Sequence, residues 1–151
     1  MGRLSIILLL LAVVAVGVGG YVLMPRTQAQ TETAAVPKAF AGCVACHVIR
    51  APDGVVLAGA RGRTGPNLYG VFGAPAASVA GFRYRSGLVR AGEKGLVWTQ
   101  EALTAYLQNP TAFLRDFLGD ADVRSAMSYR EPDPVQAAEL ATYLAQFAFA
   151  P

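Results

Sequence analysis

The chain is poor in nearly every residue type that binds metals or moves protons. Its 151 residues include one histidine, two cysteines, three methionines and one tryptophan, and only 15% are charged. A structural zinc site takes four Cys or His ligands, which this composition cannot supply. Lysine almost disappears after residue 47, where Lys94 stands against nine arginines. The net charge is +3 with no block of like charges, so nucleic acid is not an expected partner. No internal repeat or low-complexity segment is present. No run of alternating strands and helices is visible either, which removes the usual setting of a C-x-x-C redox pair.

What little there is lies close together. Both cysteines and the only histidine fall within Cys43-Val44-Ala45-Cys46-His47. C-x-x-C-H is the attachment pattern of a c-type heme. Two thiols three residues apart on one helical turn can each add to a vinyl group of one porphyrin, and the adjacent imidazole can then reach the iron. A disulfide between residues this near in sequence would close a tiny loop and stabilise little. The second iron ligand follows by elimination. No other histidine exists, and Met1 and Met24 belong to an N-terminal apolar segment, so Met127 is the only thioether left to the folded domain. A His/Met pair raises the reduction potential relative to two imidazoles. It also fills both axial positions, which suits one-electron transfer better than oxygen or peroxide chemistry.

Residues 1–24 carry Arg3 and then an almost unbroken apolar run over residues 4–24. Twenty-one helical residues span roughly 30 Å, the thickness of a bilayer core. A cleavable signal would use residues 4–16 as its core and be cut before Thr31, for example after Ala29. Signal cores usually run about 7 to 15 residues, so length favours an uncleaved transmembrane anchor. Either reading exports the remainder. Residues 25–35 are polar and small, and read as a linker reaching at most about 40 Å. Residues 36–151 then form one domain.

Within that domain, a short helix is expected near Val36-Pro37, with Pro37 in its first turn, carrying Phe40 into the heme motif. Residues 48–97 hold ten glycines and no sustained helical period, and read as long loops. Thr99 is placed to cap a helix with Leu103, Tyr106 and Leu107 on one face. Asn109-Pro110 ends it and starts another through Phe113, Leu114 and Phe117. Asp133-Pro134 with Gln136 marks the start of a last helix through Leu140, Tyr143, Leu144 and Phe147.

With these residues in place, residues 36–151 resemble a class I cytochrome c, most closely the bacterial cytochrome c₂ branch. The resemblance rests on Cys43 to His47, Thr64-Gly65-Pro66-Asn67-Leu68-Tyr69-Gly70, Gly81-Phe82-Arg83-Tyr84, Trp98, Tyr106-Leu107-Gln108-Asn109-Pro110, Met127 and Leu140-Ala141-Thr142-Tyr143-Leu144, in that order. It implies a mostly α-helical fold whose helices and long loops wrap one covalent heme c. It implies that the Pro66 carbonyl accepts the Nδ1–H of His47, that Asn67 holds the proximal turn and that Leu68 packs on the heme. Tyr84 and Trp98 would bind a buried propionate, Tyr106 would lie near the Met127 sulfur and Ser125 near the propionates. Tyr129 would shield the heme on the methionine side, and Phe40 would cross the last helix against Leu140 and Tyr143. The chain departs from the family pattern at Val36, where a glycine is common, at Ala74 in place of an arginine, and at Ala126 in place of a lysine.

The function so implied is that of a monomeric electron carrier rather than an enzyme. It would shuttle electrons between membrane complexes, with a cytochrome bc complex as donor and a terminal oxidase or photosynthetic reaction centre as acceptor. It would work on the periplasmic side of the cell membrane, anchored through residues 4–24, or as a soluble periplasmic protein if that segment is cleaved. Two other readings stay open at this point. One is a fixed heme subunit of a larger redox complex. The other is a heme ligand-binding or peroxidatic protein in which Met127 is not a firm iron ligand.

Overall fold

The computed structural model describes residues 36–149. The anchor or signal segment 1–24 and the linker 25–35 lie outside the described residues. Among the described residues, no helix is long and apolar enough to cross a membrane.

The described chain opens with a 3₁₀ helix, Lys38–Gly42, with Pro37 at its N-cap. Two short antiparallel strands follow, β1 (Ile49–Arg50) and β2 (Val56–Ala58), pairing Ile49 with Ala58 and Arg50 with Val56 across an irregular register. Four α-helices complete the fold: α1 (Ser86–Glu93), α2 (Gln100–Gln108), α3 (Pro110–Leu118) and α4 (Pro134–Ala145).

Side-chain caps set three of the four helix starts. Thr99 Oγ1 accepts from Ala102 N at 3.2 Å, and Asn109 Oδ1 accepts from Ala112 N at 3.1 Å. Asp133 Oδ1 accepts from Val135 N at 2.8 Å and Gln136 N at 3.4 Å. Each bond satisfies an amide that the helix itself leaves unpaired. Pro110 and Pro134 begin α3 and α4, where a missing N–H costs nothing.

The largest helix contact is α2 on α4. Leu103, Tyr106 and Leu107 share one face of α2, and Ala137, Leu140, Ala141 and Leu144 share one face of α4. Ala137 and Ala141 are fully buried, and their small side chains let the two backbones approach closely. Gln100 pins the start of α2 to α4 by donating to Ala138 O at 2.9 Å and to Thr142 Oγ1 at 3.1 Å. Phe40 brings the 3₁₀ helix onto the same layer, meeting Tyr143 edge-on with ring centroids 4.9 Å apart. Val36 is exposed and takes no part in this crossing.

Two sequence expectations change. Helix α1 lies inside residues 48–97, where long loops were expected. It has no side-chain cap and contains Gly87 and Gly92, both poor helix formers, so local propensity gives no signal. Packing holds it instead. Ala91 is fully buried, a side chain at Gly87 would press on Val123 and Leu114, and one at Gly92 would strike the Ala76 carbonyl. Lys94, which follows α1, donates to Phe117 O at 2.8 Å at the end of α3, and Arg90 pairs with Asp120 at 2.8 Å. Phe147 falls in the turn after α4 rather than on the helix.

The cap at Asp133 generates a pH test. Backbone amides of Val135 and Gln136, with the Gln136 side chain, hold its carboxyl below the ordinary 3.8. A depressed carboxylate stabilises the fold above its unfolded pKa, and the contribution is lost as pH falls through the folded value. Asp133→Ala is therefore expected to lower the thermal midpoint of the heme-bearing protein at pH 7, with the gap to the parent narrowing as pH drops below 3.8. Calorimetry across that range checks it, and a gap independent of pH would contradict the cap.

Candidate heme site

The loops and helices enclose a cavity of about 540 Å³ lined by Cys43, Cys46, His47, Pro66, Leu68, Tyr84, Trp98, Tyr106, Ser125, Met127 and neighbouring apolar side chains. Every residue that the sequence assigned to the heme borders this one space. Its volume is typical of a small-molecule or cofactor site, and its lining is mostly apolar.

The 3₁₀ helix delivers Cys43, and a turn then carries the chain through Cys46 to His47. The amides of Cys46 and His47 both donate to Cys43 O, at 3.1 and 2.9 Å, so the C-x-x-C-H segment closes on itself. His47 Nδ1 lies 2.9 Å from Pro66 O. With Nδ1–H donating to that carbonyl, the ring presents the lone pair of Nε2. Burial lowers the imidazole pKa, and the Pro66 bond offsets part of that shift, so the ring is neutral at physiological pH. Gly65 lies directly against the imidazole, and a Cβ there would overlap the ring. That close approach, rather than a turn conformation, is what requires glycine. Asn67 fixes the same loop by pairing with the Arg50 backbone in both directions, at 2.9 and 2.8 Å.

Burial, with smaller contributions from Cys46 and Glu131, pushes the Cys43 thiol up to about 11. A redox or metal-binding cysteine works as a thiolate, and this shift opposes thiolate formation at Cys43. No three His, Cys, Asp or Glu side chains cluster as a metal site among the described residues. The donor set that remains is two thiols, one neutral imidazole and one thioether around an apolar cavity. It fits a covalently attached heme with a soft axial ligand.

On the methionine side a chain of hydrogen bonds joins Tyr106, Ser125 and the Met127 backbone. Tyr106 Oη pairs with Ser125 Oγ at 2.9 Å, and Ser125 Oγ accepts from Met127 N at 3.1 Å. Tyr106 is thus tied to the methionine segment through Ser125, whose hydroxyl serves the backbone of that segment. Ser125 N donates in turn to Thr111 Oγ1 at 3.2 Å. Trp98 and Tyr106 meet edge-on at 4.9 Å, and Tyr84 packs on Phe82 at 4.8 Å. Burial raises the pKa of both Tyr84 and Tyr106, which keeps their hydroxyls protonated as donors. Of the nine arginines after His47, Arg83, Arg85 and Arg124 border the cavity. Thr111 and Glu131 escaped the sequence reading because neither lies in a motif: Thr111 meets Ser125 fourteen residues away, and Glu131 bonds Tyr129 and Asp133 in a segment without regular structure.

No family model matches the chain. Individual proteins and structures do. It is 42% identical over 114 residues to cytochrome c2 of Rhodovulum adriaticum, covering 76% of this chain and 90% of that protein. It is 37% identical over 135 residues to cytochrome c2 of Cereibacter sphaeroides, covering 89% and 93%. The fold superposes on the crystal structure of cytochrome c2 from Rhodobacter sphaeroides with a TM-score of 0.72 at 41% identity, covering 76% of this chain and 94% of that one. Ferric cytochrome c-550 from Paracoccus versutus matches with a TM-score of 0.69 at 37% identity, over 74% and 92%. The fold and site define a class I cytochrome c, and within that class the chain belongs to the cytochrome c2 family. It is an electron-transfer protein with one covalent heme c, a carrier between membrane complexes and not an enzyme.

The contact at Gly65 carries its own test. Gly65→Ala is expected to destabilise the heme-bearing protein by about 1–3 kcal/mol, the usual cost of overpacking a tight site. Guanidinium unfolding measures it, and an unchanged midpoint would show that the His47 ring is not confined there.

Proposed function

We propose that Cys43 and Cys46 hold the heme covalently and that His47 and Met127 are its iron ligands. Pro66 would orient the imidazole, Leu68 would pack on the porphyrin, and Tyr84, Trp98, Tyr106 and Ser125 would supply polar groups around it. The observation that carries this reading is the convergence of both cysteines, the only histidine and Met127 on a single cavity. When bound, the heme supplies reversible one-electron exchange between ferric and ferrous iron. The protein's own part is to keep the imidazole neutral and aimed, to exclude water with an apolar wall, and to hold the methionine segment in place.

The donor and acceptor proposed are a cytochrome bc complex and a terminal oxidase or photosynthetic reaction centre. The chain meets them in turn as a monomer, through small, short-lived contacts. Arg83, Arg85 and Arg124 at the cavity lining support recognition of acidic partner surfaces. The site of action proposed is the periplasmic face of the cell membrane, with residues 4–24 as an uncleaved tether. The 21-residue apolar run supports the tether, and a tether would raise the local concentration of the carrier near its partners.

Intact mass of the protein from membrane and soluble fractions of a heme-c-maturing host tests both readings. A nearly full-length membrane species carrying one heme supports both. A soluble species shortened at its N-terminus removes the tether and leaves a diffusible periplasmic carrier. A Cys43→Ser, Cys46→Ser chain should carry no covalent heme.

The ligand assignment makes a separate prediction. Met127→Ala is expected to abolish the charge-transfer absorption between thioether sulfur and ferric iron, and to let the reduced protein bind carbon monoxide. A parent protein that already binds carbon monoxide readily would refute a firm Met127 ligand.

A further inference from the structure

The methionine segment is held on both sides of Met127, and the second hold uses residues outside every motif quoted above. Before Met127, Ser125 is fixed to α2 through Tyr106 and to α3 through Thr111. After it, the ring of Tyr129 lies over Gly42, so closely that a Cβ at Gly42 would overlap it. Gly42 is the residue immediately before Cys43. The Tyr129 hydroxyl lies 3.1 Å from Glu131 Oε2 and 3.4 Å from Ala39 O in the 3₁₀ helix. One phenolic hydrogen is shared between these two acceptors, with the carboxylate the nearer.

Glu131 is anchored in its own right. It is the buried charged residue of the described core, only 9% exposed. Its amide donates to Leu107 O on α2 at 2.9 Å, and its Oε1 accepts from Asp133 N at 3.2 Å, just ahead of α4. Burying a carboxylate is costly unless its oxygens are satisfied. Here both oxygens have donors. The carboxylate therefore reaches the tyrosine from a fixed position, and it links α2, the start of α4 and the methionine segment.

Resting on the assignment of Met127 as iron ligand, we infer that Tyr129 and Glu131 are positioning residues that strap the Met127 segment to the helix preceding Cys43 and so keep the thioether on the iron. Residues 126–128 then lie between two clamps, Ser125 and Tyr129. Loosening the second clamp gives the segment freedom to swing away, which exposes the sixth position to outside ligands.

The experiment uses the full chain with its heme in the ferric state and imidazole as the competing ligand, followed by stopped-flow absorbance. Tyr129→Phe keeps the ring over Gly42 and removes only the hydroxyl. Glu131→Ala removes the acceptor. Each is expected to speed imidazole binding by about fivefold to tenfold, the size of one ordinary hydrogen bond. The double variant should be no faster than about twofold beyond either single one, because both break the same link. Glu131→Gln, whose amide oxygen can keep the Asp133 N–H while its NH2 donates to the Tyr129 oxygen and the phenolic hydrogen turns to Ala39 O, should stay close to the parent. A fall in thermal midpoint with unchanged imidazole rates would overturn the inference, leaving the pair a merely structural contact. A parent without thioether-to-iron absorption would overturn the ligand assignment and the strap together. A parent with that absorption and indifferent variants would overturn the strap alone.

Discussion

The structure depends on one constraint. A domain this small encloses an apolar cavity of about 540 Å³, so its centre must be completed by a bound group rather than by its own side chains. Leu68, Leu103, Leu107, Leu114, Leu140 and Leu144 all border that space as well as belonging to the core. The site is therefore not a feature added to a finished fold. The surfaces that α2 and α4 bury against each other continue without a break into the wall of the heme cavity, and a covalent group at the centre stabilises the fold and the function through the same contacts.

The site has two halves built on different principles. The His47 half is made by close approach. The C-x-x-C-H turn bonds back to Cys43, Gly65 gives way to the imidazole, and the Pro66 carbonyl holds Nδ1–H at 2.9 Å. The Met127 half has no regular secondary structure of its own. It is positioned from outside by side chains of α2 and α3 and by the backbone of the 3₁₀ helix, through Tyr106, Thr111, Ser125 and the Tyr129–Glu131 pair. A carrier profits from that division. In the proposed assignment the imidazole side would fix the cofactor, and the methionine side would set how firmly the sixth position is closed.

What the sequence made legible follows from how local each signal is. Cys43, Cys46 and His47 announce their chemistry within five residues. Thr99, Asn109 and Asp133 cap helices that begin at the very next residue. The elimination that singled out Met127 needed only a count. Helix α1 was illegible because its stability comes from Val123, Leu114 and Ala76, far along the chain from Gly87 and Gly92. The bond between Ser125 and Tyr106, nineteen residues apart, was illegible for the same reason. Tyr129 and Ala39 are separated by ninety residues, and no local pattern encodes a contact at that distance.

The central claim is that the heme completes the core, and the most direct test compares the chain with and without it. The heme-bearing protein and the heme-free Cys43→Ser, Cys46→Ser chain should be followed through thermal unfolding by near-ultraviolet circular dichroism. The account predicts a cooperative transition for the first. The second should show no fixed aromatic signal and no cooperative transition, because Trp98 and Tyr106 line the space the heme would fill. A heme-free chain that unfolds cooperatively with native-like aromatic signals would contradict it, and would mean that the protein closes its core unaided.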